Sequence, residues 1–201
     1  MPIKMAHETG DWTLTEAARL LEEPQHRLIY LCEKGVVAPD VQDAEGRGSS
    51  RRFSSRNLLE FAVALRLRDL ELPATLISAV VHVLRAFESA VRREMRDFHL
   101  PESLRAEDAP DLRVVIGDGR SLYFTLGAGA GPPKVYGGID LEGLKETTTA
   151  AGSRPKLRLV KPATPTSGAR GADAFGGPER SRHTRVEISV TRIAQDLPLD
   201  A

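Results

Sequence analysis

A single cysteine, Cys32, stands among the 201 residues. One cysteine excludes a disulfide framework, and it equally excludes a metal site built from several cysteines. Net charge is missing too: 28 Lys and Arg residues balance 28 Asp and Glu. Overall charge therefore points to no nucleic-acid partner, and any such signal must come from local clustering. Long apolar runs are also absent. The most apolar helical stretch, Leu76 to Phe87, is broken by His82 and Arg85, which makes it too short and too polar for a bilayer. The N-terminus lacks the apolar core of a signal peptide. These absences predict a cytoplasmic protein. No internal repeat is visible. Gly127 to Gly131 is glycine-rich but has no following Lys-Ser or Lys-Thr pair and no strand-loop-helix setting, so a phosphate loop is not expected. No catalytic constellation stands out, so neither an enzyme nor a cofactor nor a bound metal is expected.

What is present is ordinary globular material, 41% hydrophobic and 28% charged, enough for one large domain or two small ones. Four helical segments come first. The opening one lies near Thr15 to Leu21, capped by Thr13 or Thr15, and Thr13 with Glu16 has capping-box spacing. The second runs from about Pro24 to Lys34. Leu28, Ile29, Leu31 and Cys32 form its expected buried side, and Gly35 its stop. Two short helices joined so tightly have the helix-turn-helix arrangement. A polar, glycine-bearing loop, Asp40 to Ser50, returns through Arg51-Arg52-Phe53. Ser54 or Ser55 then caps a third helix, which breaks at Leu72-Pro73. A fourth helix is expected from about Ala74 to Phe98. Its apolar seam includes Ile77, Val80, Leu84, Phe87 and Val91 at intervals of three and four, a pattern suited to pairing between two chains.

The second half changes character. Leu112 to Ile116 and Ser121 to Thr125 read as strands around an Asp118-Gly119 turn. Val135-Tyr136 and Gly138 to Leu141 suggest another, and Val186 to Thr191 alternates as a closing strand. The stretch 147–185 is rich in Ala, Gly, Ser, Thr and Pro and is expected to be flexible, with Leu157 to Val160 its best candidate for an exception.

Two constellations carry the functional signal. From Arg47 to Arg68 there are six arginines, 47, 51, 52, 56, 66 and 68, with Glu60 as the acid inside the stretch. The arginine fork suits phosphate. On the second helix, Gln25, His26, Arg27 and Tyr30 occupy the turns that meet base edges in a helix-turn-helix, and Gln and Arg are common readers of adenine and guanine. Solvated charge and an ordinary amphipathic face are the plain alternatives to these two readings.

Taken together, Trp12 to Leu21, Tyr30-Leu31-Cys32-Glu33-Lys34-Gly35-Val36-Val37-Ala38-Pro39 and Arg51-Arg52-Phe53-Ser54-Ser55-Arg56-Asn57-Leu58 resemble MerR-type regulators over residues 11–98. The resemblance implies a mainly α N-terminal winged helix-turn-helix over 11–72 and a dimerisation helix over 73–100. A small β-rich C-terminal domain, 110–145 plus 185–198, would follow. It implies that Arg51 and Phe53 are the wing's DNA-contacting pair and that Tyr30 is the first aromatic of the recognition helix. The expected DNA-contacting set is Thr15, Gln25, His26, Arg27 and Tyr30, with Arg47, Arg51, Arg52, Phe53 and Arg56. Expected partners are double-stranded DNA, a second copy of the chain, and RNA polymerase at a promoter. The family's usual arginine before the aromatic is Ile29 here, and its second aromatic is Leu31. Cysteines of the metal-sensing relatives are missing after the long helix, and so is a cobalamin-type Asp-x-His motif. The rival expectation is an interaction or architectural module that kept this fold without sequence-specific reading.

Overall fold

Thr13 starts the first helix with a reciprocal pair of hydrogen bonds. Its hydroxyl accepts from the Glu16 N–H at 3.3 Å, and the Glu16 carboxylate accepts from the Thr13 N–H at 2.7 Å. This capping box satisfies two donors that the helix ladder leaves free. The structure, a computed structural model, describes residues 10–42, 51–93, 95–118, 121–127, 133–140 and 184–199. These residues divide into two units. Residues up to Val81 with 193 onward form the first, and His82–Arg192 the second.

In the first unit, helix α1 spans Leu14–Leu20 and α2 spans Gln25–Glu33, each within a residue or two of its expected limits. Both end the same way. The Glu22 and Glu23 N–H groups donate to the Arg19 and Ala18 carbonyls, and those of Gly35 and Val36 donate to the Cys32 and Leu31 carbonyls. Each closure needs a left-handed residue after the cap. Gly35 supplies it at φ 66° without strain, and Glu22 supplies it at φ 53°. The second closure confirms Gly35 as the stop. The first leaves only Leu21 to Pro24 between the helices, so α1 and α2 pack on each other, burying Ala17, Ala18, Leu28 and Leu31.

Strands β1 (Trp12–Thr13) and β2 (Arg52–Phe53) pair antiparallel, Trp12 opposite Phe53. Gln42 bridges the same Arg52 by backbone bonds of 2.8 and 3.4 Å. Gly10 lies hard against the Trp12 ring, where a Cβ would have no room. Ser54 caps α3, Ser55–Asp69, in a second capping box with Asn57. The Asn57 amide also ties this region together: its oxygen accepts from the Asp40 N–H, and its nitrogen donates to the Ala38 carbonyl and the Glu60 carboxylate. Helix α4 covers Ala74–Val91. It ends seven residues before the expected limit of Phe98, and Met95 beyond its end is half-exposed.

The second unit is built on a four-stranded antiparallel sheet in the order β5-β4-β3-β6. Strands β3 (Asp111–Gly117) and β4 (Ser121–Gly127) form the expected hairpin, with Val114 opposite Phe124. Asp118 takes a left-handed conformation at φ 50° where it turns. Strand β5 is Lys134–Asp140, and β6, Arg185–Ser189, joins the far edge of β3. Helix α5, Val190–Gln195, follows. Its Thr191 hydroxyl donates to the Pro110 carbonyl and accepts from the Leu112 N–H at 2.8 Å. A helical N-terminal region followed by a β-rich part matches the coarse expectation. Of the stretch expected to be flexible, 147–183 lies outside the described residues, while Thr184 and Arg185 lead into and begin β6.

On the sheet, Arg113 bonds Glu187 at 2.9 Å and Asp111 at 2.6 Å. Arg113 holds the Glu187 carboxyl below the usual glutamate range, with Arg185 reinforcing it. A carboxylate whose folded pKa is depressed contributes stability above its unfolded pKa, about 4.5, and loses it as pH falls through the folded value. The wild-type chain should therefore lose more thermal stability between pH 5 and pH 3 than Glu187→Gln does. Equal losses in parallel melts would discount the ion pair.

Candidate nucleic-acid interface

Helix α2 turns Leu28 and Leu31 into the core, each fully buried. The 3.6-residue period then puts Gln25, His26, Ile29 and Glu33 on one outward stripe, and all four are exposed. Ile29, expected inside, is 38% exposed. The correction follows from helix phase. Leu28 and Leu31 define the buried direction, and Ile29 stands about 100° from Leu28 on the side away from Leu31. Pro24 caps the helix without a side-chain hydrogen bond. Thr15, on the first turn of α1, is exposed as well.

Arg27 sits differently. Its Nη1 lies 2.7 Å from a Glu23 carboxylate oxygen and its Nη2 2.5 Å from Asp69 at the end of α3. Asp69, and then Glu23, hold its guanidinium above the ordinary arginine value. Any base contact by Arg27 must first give up those bonds, so it acts as a brace between helices as the chain stands. Tyr30 is half-buried, with the Arg68 guanidinium 4.0 Å from its ring centroid and the Lys34 ammonium at 5.7 Å. Cations at these distances are attracted to the ring face, and together they form a positive flank beside the outward stripe. Arg68 belonged to the basic cluster in sequence, but nothing local foretold its partnership with Tyr30. Asp69 likewise left no trace of its pairing with Arg27.

Of the expected wing residues, Arg47 lies outside the described residues. Arg51 is exposed. Arg52 is half-buried and turned toward Asp11, 3.8 Å from its carboxylate. Arg56 is half-buried in the first turn of α3. Phe53 is a clear correction. It is 0% exposed, and its ring packs against Phe61 with centroids 5.3 Å apart. A side chain enclosed in that way cannot touch DNA. The pairing of Trp12 with Phe53 across β1 and β2 explains the position, since the strand needs an apolar residue there to cover α3.

The expected dimer seam is corrected as well. Ile77, Val80, Leu84, Phe87 and Val91 are all at most 3% exposed within the single chain. Phe87 stacks on Phe124 of β4, centroids 5.3 Å apart, and meets Phe98 edge-on. The stripe is therefore satisfied inside the chain and offers no open apolar face to a second copy. His82 is exposed on α4. Among the described residues no helix is long and apolar enough to cross a membrane, and no group of three or more His, Cys, Asp or Glu side chains could hold a metal ion. An open cleft in the first unit, about 410 Å³, is lined by Glu22, Glu23, Asp69, Asp196 and Arg66 among apolar side chains. Four carboxylates to one guanidinium make it unsuited to an anion.

No model of a known family matches the chain, and no curated protein matches it either.

Proposed function

We propose that residues 11–72 form a winged helix-turn-helix of MerR type that binds double-stranded DNA and reads its sequence through α2. The observation that carries this reading is the outward stripe of Gln25, His26 and Ile29 on a helix joined to α1 by a four-residue turn. Exposed Arg51, beside the β1–β2 pair, supplies phosphate contact. The protein would act as a transcription regulator in the cytoplasm, with RNA polymerase as partner and the β-rich part as an effector- or partner-binding module. Two copies on a near-palindromic site belong to the proposal. Because the α4 seam is covered, their contact is assigned to another surface, and sedimentation with and without duplex reads the copy number.

The test is enrichment of duplexes from a random pool by the full chain, followed by binding across a salt series. Arg51→Ala should weaken binding to the enriched and a scrambled duplex about equally, and lower the salt slope by roughly one. Failure to enrich any sequence would defeat the proposal. A second reading, an interaction module without sequence preference, is favoured by one observation: Arg27 is held by Glu23 and Asp69. That reading predicts no enrichment and unchanged salt behaviour for Arg51→Ala.

A further inference from the structure

Ile29 is the one large apolar side chain on the outward stripe of α2, 38% exposed between Gln25 one turn before it and Glu33 one turn after. The core does not need it, because Leu28 and Leu31 already fill the inward side with no exposure at all. Val41, Leu70 and Met95 are exposed as well; what distinguishes Ile29 is its place on α2 among polar exposed neighbours, Gln25, His26 and Glu33.

We infer that Ile29 is a specificity-determining residue that packs on the 5-methyl group of a thymine in the major groove, with Gln25 on an adenine beside it. The inference rests on the proposed DNA reading and names what that surface selects. The chemistry is limited. In the major groove thymine alone presents a methyl group, and adenine alone presents the adjacent acceptor and donor that a glutamine amide can meet at once. A side chain with no polar atom can read only the methyl. The spacing fits as well. Residues four apart lie about 6 Å apart along a helix axis, which is nearly two base-pair steps of about 3.4 Å. The adenine and thymine contacted should therefore fall one to two base pairs apart. Glu33, farther along the stripe, can accept only from a donor such as the cytosine amino group, so the end of α2 disfavours thymine and the middle favours it.

The experiment uses the full chain and a duplex enriched from a random pool. Each thymine of that duplex is replaced in turn by deoxyuridine, which keeps the base pair and removes only the methyl. One position should lose about fourfold in affinity, the factor expected for one methyl-sized group buried. For Ile29→Ala, which preserves helix propensity at an exposed site, the thymine and uracil duplexes should bind alike at that position. Gln25→Ala should keep the fourfold methyl effect and lose discrimination at the neighbouring adenine. If wild type enriches a sequence but no uracil substitution matters, or Ile29→Ala retains the fourfold effect, the assignment of Ile29 is overturned while the DNA reading stands. If wild type enriches nothing, both fall together.

Discussion

Phe53→Ala should lower the stability of the chain by about 3–5 kcal/mol, the usual cost of removing a buried aromatic side chain. The ring is fully enclosed and packs on Phe61, so truncation leaves a cavity between β2 and α3 that the short strand cannot close. That loss is a large part of the roughly 5–15 kcal/mol by which domains are stable, and urea unfolding would show it. Phe53→Leu, a milder change expected to cost on the order of 1 kcal/mol, separates packing from contact. It should keep both the selected DNA sequence and the salt slope. A Phe53→Leu chain that is stable yet cannot bind its duplex would return Phe53 to the DNA surface.

The double change Leu84→Asp with Phe87→Asp should abolish folding of the second unit; it should not release monomers from a dimer. Both side chains are at most 3% exposed in one chain, and Phe87 stacks on Phe124 of the sheet. Two carboxylates placed there would have to be buried without partners, a penalty of several kcal/mol each before the lost packing is counted. Circular dichroism and sedimentation distinguish the outcomes. A soluble double variant with native strand signal and a normal melt would show the seam to be a surface after all. The single change Phe87→Ala should cost about 3–5 kcal/mol by the same cavity argument.

The features that could be read in advance were those decided within a few residues. Thr13 with Glu16, Ser54 with Asn57 and Gly35 after α2 are set by side-chain and backbone bonds across three to five positions, and the Asp118 turn joins strands paired at Gly117 and Ser121. Sequence spacing captures such bonds directly. Three of the misplacements were decided by distant parts of the chain. Periodicity shows that Ile77 to Val91 forms an apolar stripe but not what covers it, and β4 meets Phe87 from 37 positions away. Arg27 has the chemistry of a base reader until Asp69, 42 residues on, binds it. Phe53 has an aromatic's chemistry in either setting, and only its pairing with Trp12 and its packing on Phe61 decide which one it occupies. Ile29 could have been placed outside from phase alone, had Leu28 and Leu31 been taken as fixing the inward direction.

Trp12 is the only tryptophan in the chain. It is half-buried, paired across from Phe53 and covered on one side by Gly10. Light absorbed at the red edge of protein absorption is therefore emitted from one place, the strand pair of the first unit. Its emission colour and its quenching by iodide report whether that pair is intact, while the second unit contributes no indole signal. A denaturant titration followed by this emission and by far-ultraviolet circular dichroism would show directly whether the two units unfold together. The same indole gives a label-free optical readout of how strand β1 responds when a duplex is added.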